Sequence, residues 1–127
     1  MSVQGPGRVS RDAFRRLIGT KDGGMKTDIM VDAESHDGAK LVFGVMSIEP
    51  GTEVAKWEAN STTFEAYYLK DGRLRLTWSG AEEGDEEVEA GDGFYFAPGY
   101  RYSVQCVGDE TASVMWAITP AMPGPAD

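Results

Sequence analysis

An all-β sandwich or barrel is the fold class this 127-residue sequence predicts, and three observations lead there. Short runs of β-branched, aromatic and alternating apolar residues follow one another at near-regular intervals. Pairs with turn chemistry stand between them: Pro50-Gly51, Asp71-Gly72 and Pro98-Gly99. A helical period is confined to one short N-terminal stretch, and nothing alternates strand with helix.

Taken in order, Met1 to Gly7 is rich in small and turn-forming residues and is expected to be loose. Ser10 to Gly19 predicts a short helix. Ser10 can cap it, Asp12 suits its first turn, Val9 and Phe14 have the spacing of a hydrophobic staple, and Phe14, Leu17 and Ile18 share a face. Strands are then expected at Thr27–Asp32, Leu41–Ile48, Glu53–Ala59, Phe64–Lys70, Arg73–Ser79, Glu86–Ala90, Gly93–Ala97, Tyr102–Val107 and Ala112–Thr119. Asp71-Gly72 reads as a two-residue hairpin turn with Gly supplying positive φ. Pro98-Gly99 fits the centre of a type II turn, and Pro50 ends a strand because it has no N–H for a ladder. The expected organisation is an N-terminal arm with a short helix over residues 1–25, a barrel over 26–119 and a flexible tail over 120–127.

Strand alternation assigns the interior. Leu74, Leu76 and Trp78 are expected inside, with Arg73, Arg75 and Thr77 outside. Tyr102, Val104 and Cys106 form a second inward set, and Val114, Trp116 and Ile118 a third. Ala55, Trp57 and Ala59 read as inward, opposite Lys56 and Glu58. Phe64–Lys70 is apolar on both faces, so its period assigns no side.

A formal charge of −9 and a pI near 4.5 argue against a nucleic-acid-binding role and against an anionic membrane surface. Most of that charge is the run Glu82-Glu83-Gly84-Asp85-Glu86-Glu87, read as an exposed hairpin turn rather than a site. It lacks the Asp-x-Asp-x-Asp-Gly spacing of a calcium loop. Cys106 is the one cysteine, which rules out an intramolecular disulfide and suits a reducing compartment. With neither a secretion-signal pattern nor an apolar run of membrane-spanning length, a cytoplasmic location is expected.

The stretch from Leu41 to Thr119 resembles a cupin, whose fold is a double-stranded β-helix or jelly-roll barrel. Two separated motifs carry the resemblance. Pro50-Gly51 opens the first, and Glu65-Ala-Tyr-Tyr-Leu-Lys-Asp-Gly72 closes it with the right interval. Gly91-Asp-Gly-Phe-Tyr-Phe-Ala-Pro-Gly99 followed by Tyr100-Arg-Tyr102 matches the second, with Ala97 at the motif's Pro. The departures matter more. The two histidines of the first motif fall on Trp57 and Ala59, on Glu58 and Asn60, or on Ala59 and Ser61, depending on register. Tyr102 stands at the histidine of the second motif and Cys106 at its terminal Asn, so Glu65 alone remains of the usual four ligands. The aromatic variant of both motifs is most similar to the EutQ-like, ethanolamine-utilisation subgroup. The resemblance implies a pocket with no native metal and no cofactor, and a homodimer. Apolar residues on both faces of Leu41–Ile48 and Phe64–Lys70 fit burial against a second subunit.

Within that frame the candidate catalytic residues are Glu65 and Tyr102. A carboxylate directed into an apolar cavity can hold or move a proton, and a phenol can donate to a developing oxyanion. Each has a bland alternative: a structural Glu satisfied by a hydroxyl, and a tyrosine that fills the space of a lost histidine. Trp57, Tyr67, Leu76, Phe96, Val104 and Trp116 are the candidate lining, although aromatics more often build core than binding wall. An all-oxygen set of Glu58, Asn60, Glu65 and Tyr102 would suit Mg²⁺ or Ca²⁺ only in the register that turns Trp57 outward. His36 lies in the polar loop Glu34-Ser-His-Asp-Gly38, outside both motifs. The expected function is metal-independent acid/base chemistry on a small, partly apolar metabolite, of lyase, isomerase, dehydratase or cyclase type. The alternative is a non-catalytic small-molecule-binding or accessory cupin.

Overall fold

A computed structural model describes residues 5–19, 23–60 and 63–120. Among these residues a 3₁₀ turn at Arg11–Ala13 is followed by ten strands: β1 (Arg15–Gly19), β2 (Met25–Val31), β3 (Val42–Ile48), β4 (Glu53–Asn60), β5 (Phe64–Asp71), β6 (Arg73–Ser79), β7 (Gly84–Glu89), β8 (Gly93–Phe96), β9 (Tyr100–Cys106) and β10 (Ala112–Thr119). They form a six-stranded sheet in the order β1-β2-β3-β10-β5-β8 and a four-stranded sheet in the order β4-β9-β6-β7. Every pairing is antiparallel. The expected strands are all present, two of them with the expected bounds.

The expected N-terminal helix is absent. Ser10 does cap, its hydroxyl accepting from the Asp12 amide at 3.3 Å, but only for the 3₁₀ turn. The chain then runs as β1 along β2. Arg15 pairs with Asp32 and Arg16 with Asp28, while Leu17 packs beside Ile29 and Trp116. A helix of two turns has little stability of its own, whereas a strand on this edge gains ladder bonds and three side-chain contacts.

The turns also do more than the sequence suggests. Asp71-Gly72 is no hairpin: β5 belongs to the six-stranded sheet and β6 to the four-stranded one, so this corner carries the chain between layers. Gly72 has φ +93°, and a Cβ there would lie 2.8 Å from the Ala112 Cα. Pro98-Gly99 likewise links β8 to β9 across the layers, with Gly99 at φ +93°. Both corners place inward residues of one sheet over those of the other.

The core lies between the sheets. Leu74, Leu76, Val104, Cys106 and Val114 are buried within it as the alternation predicts, and Trp78 packs against it. A second cluster gathers Ile29, Val42, Trp116 and Ile118, and Tyr67 packs against both. For β5 the structure decides what the period does not: Glu65 and Leu69 are buried while Phe64 and Tyr68 are exposed. On β4, Val54 sits opposite Val104 and packs against the core. The side chains of Ala55, Trp57, Glu58, Ala59 and Asn60 lie outside the described residues, so their expected facing does too.

Candidate functional site

Three strands bring the site together. Glu65 and Tyr67 share the inner face of β5, two residues apart. On β8 their direct partners are Phe96 and Phe94 respectively, so four side chains of one face stand side by side. Tyr102 arrives from β9 in the opposite sheet. Glu65 is 0% exposed, and both Tyr67 and Tyr102 donate their hydroxyls to its Oε1, Tyr67 at 2.5 Å. The two hydroxyl oxygens are 3.1 Å apart.

An ionised carboxylate taken out of water costs several kcal/mol unless charge-assisted hydrogen bonds offset the loss. The two phenols supply such bonds. Burial is the largest cause of a raised Tyr67 pKa, reinforced by Tyr102 and Glu65 nearby. Burial likewise pushes Tyr102 up, with the Glu65 charge second. Both phenols therefore stay protonated at neutral pH and act as donors, not bases. Their rings are fixed by stacking: Tyr67 on Phe94 at 4.6 Å and Phe96 on Tyr102 at 3.8 Å, nearly parallel in both pairs. Phe94 and Phe96 meet edge to face at 5.9 Å.

Beyond these phenylalanines lies a cavity of about 560 Å³, between β7 and β8, the free edges of the two sheets. Leu76, Trp78, Val88 and Tyr100 line it from the four-stranded sheet, and Phe94 and Phe96 from the six-stranded one. Phe94 and Phe96 therefore touch the cavity and also stack on the two tyrosines that hold Glu65. The carboxylate is in the wall behind the cavity, not in its lining.

Of the sequence candidates, Glu65, Tyr67 and Tyr102 converge, and Leu76 and Phe96 reach the cavity. Val104 and Trp116 do not line it. Val104 is core, and Trp116 donates its Nε1–H to the Thr27 hydroxyl at 2.8 Å in the second cluster. Trp57 lies outside the described side chains. Sequence reasoning missed Trp78, Val88 and Phe94 as lining, although alternation already put Trp78 inside. It also set the acidic run aside as a solvated turn, yet Glu82, Glu86 and Glu87 border the cavity. The signal was Val88: the one apolar residue of β7 marks its inner face, and Glu86 is two residues away on that same face.

The described donors do not fit a transition metal. Oε1 of Glu65 already accepts two hydroxyls, both phenols are held protonated, and neither imidazole nor thiolate stands beside them. His36 engages Ser35 at 2.8 Å in the β2–β3 loop. Among the described residues no three His, Cys, Asp or Glu side chains are grouped to hold an ion.

Residues 44–118 match the family model described as "Cupin domain". No curated protein sequence matches the chain. Among solved structures, a predicted oxalate decarboxylase from Thermotoga maritima superposes with a TM-score of 0.72 at 20% identity, over 90% of this chain and 99% of that one. The Drosophila melanogaster CENP-C cupin domain gives a TM-score of 0.66 at 17% identity, over 86% and 77%. An oxalate decarboxylase variant from Bacillus subtilis gives 0.73 at 19%, over 91% of this chain and 31% of that one. Likeness at these identities speaks for the fold alone.

Proposed function

Because the chain belongs to the cupin family, we propose that it is a small-molecule-binding cupin whose ligand enters the cavity between β7 and β8 and packs on Trp78, Phe94 and Phe96. The observation that carries this reading is the division of labour at the wall. A cavity of about 560 Å³ has aromatic sides bordered by the carboxylates of Glu82, Glu86, Glu87 and Asp92, while Glu65 behind the wall is 0% exposed and bonded to two phenols. Such a volume with a few polar groups at its edge suits a small organic molecule. The test is a nuclear magnetic resonance screen of uncharged and charged aromatic fragments. Shifts centred on the amides of Trp78, Phe94 and Phe96 support the reading; a screen in which no fragment moves them overturns it.

A second reading gives the same barrel metal-independent acid/base chemistry of the lyase, isomerase, dehydratase or cyclase kind. Its support is that Tyr102 touches Glu65 on one side and stacks on the cavity ring Phe96 on the other. Tyr102 would turn its one hydroxyl proton from Glu65 to a substrate carbonyl or hydroxyl oxygen, and the Glu65 carboxylate so released would take up the proton that leaves the substrate. Glu65→Gln then abolishes turnover of an identified substrate while binding persists. An unchanged rate refutes the catalytic assignment.

A homodimer is part of the same proposal. Tyr68, Tyr95 and Met115 are exposed on the outer face of the six-stranded sheet, where Met115 lies opposite Tyr68 and Tyr95 opposite Ala66. A second copy seated there would cover apolar area that otherwise faces water.

A further inference from the structure

We propose that the ligand of this cavity is a small organic cation, an ammonium carrying an apolar or aromatic group, with Glu86 as its counter-ion; this rests on the small-molecule-binding reading above. Register carries the argument. Glu86 pairs directly with Leu76, and Val88 with Leu74. Leu74, Leu76 and Val88 are all buried, so the inner face of β7 reads Gly84, Glu86, Val88. The Glu86 carboxylate therefore belongs to the cavity side of the strand. Asp85 does not border the cavity and lies 3.1 Å from Arg75, while Glu87, which does border it, is engaged by Arg73 at 3.4 Å.

Glu86 has no such partner. Among the described residues it makes no ion pair, and no Lys, Arg or His lines the cavity. The walls complete the selection. Trp78 and Tyr100 are half-buried rings in the lining, of the kind that attracts a cation, and the buried Phe96 adds apolar wall. Glu82, Glu87 and Asp92, which also border the cavity, and a formal charge of −9 give an approaching cation a favourable field, and an anion an unfavourable one. A carboxylate on the inner face of an edge strand also discourages edge-to-edge association. That role alone would leave cation affinity independent of Glu86.

The probes are phenethylammonium, phenylethanol and phenylacetate, titrated calorimetrically into the full chain with chemical-shift mapping in parallel. Phenethylammonium should bind about tenfold tighter than the alcohol, and the carboxylate weaker still. Glu86→Gln should weaken the cation about tenfold and leave the alcohol unchanged. Added salt should weaken cation binding in the parent chain and much less in the variant. Equal binding of cation and alcohol overturns the cation assignment and leaves the small-molecule reading standing. So does a Glu86→Gln variant with unchanged affinity, including one that only self-associates more. If none of the three probes binds while other fragments still shift the cavity amides, the cation assignment alone falls. Silence from every fragment overturns both.

Discussion

Removing one hydroxyl tests the burial of Glu65 most sharply. Tyr102→Phe keeps the ring that stacks on Phe96 at 3.8 Å, so packing is nearly conserved. What disappears is one of two phenol donors to a carboxylate with 0% exposure. A hydrogen bond to a charged buried group contributes about 1.5–3 kcal/mol, so the expected loss is about 2 kcal/mol. With about 2.1 cal/mol/K of unfolding entropy per residue, a 127-residue domain should lose about 7 °C in Tm. The assay is urea unfolding followed by tryptophan fluorescence, with the m-value unchanged. In a Glu65→Leu background the same substitution should cost at least about 1 kcal/mol less, because the charge that the hydroxyl serves is gone. A loss below about 0.5 kcal/mol in both backgrounds would refute the claim that this hydroxyl stabilises a buried carboxylate.

Alkaline pH probes the same pair from the other side. Tyr67 and Tyr102 have folded pKa values above the unfolded value of 10.0, so the folded chain holds more protons above that pH. Stability is intact below pH 10 and falls above it by up to about 1.4 kcal/mol per pH unit for each phenol. Tyr67→Phe should make that fall shallower, and a parent chain with flat stability above pH 10 contradicts the assignment. In the second cluster, Gly44→Ala should destabilise by about 3 kcal/mol or more, since a Cβ there collides with the Asp28 carbonyl oxygen and the Trp116 ring. Circular dichroism melts within a degree or two of the parent would contradict it. If two copies meet on the six-stranded sheet, Met115→Lys should turn a dimer into a monomer in sedimentation velocity; a parent chain that sediments as a monomer removes the proposal.

The fold was legible where a pattern has one meaning. Leu74-Arg75-Leu76 can alternate only as a half-buried strand, and both leucines are buried. The Glu65–Gly72 and Gly91–Gly99 spacings carried the family, because both fix corners where the chain must change sheets. Legibility failed where one pattern serves two structures. Phe14, Leu17 and Ile18 fit a helical face, but pairing of Arg15 and Arg16 with Asp32 and Asp28 depends on residues of β2 that no local window includes. Asp71-Gly72 has the chemistry of a hairpin, yet positive φ at Gly72 serves an inter-sheet corner equally well. At the site, the motif placed Glu65 inside but not its distance from the cavity. Tyr67 and Tyr102 close over it because β5 and β9 face each other across the barrel. The place of Glu86 on the inner face of β7 was hidden for a related reason, since in sequence it is one acid among several and only its register with Leu76 sets it apart.

A ligand cavity that stops at the aromatic wall in front of Glu65 is the premise of both proposals. A crystal structure of the chain soaked with phenethylammonium measures this directly. The expected result is density for the aromatic group between Trp78 and Phe96, the ammonium within hydrogen-bond reach of Glu86, and the Tyr67 and Tyr102 hydroxyls still on Glu65. Density that enters from another face, or an ion coordinated by Glu65 with the tyrosines displaced, would contradict it.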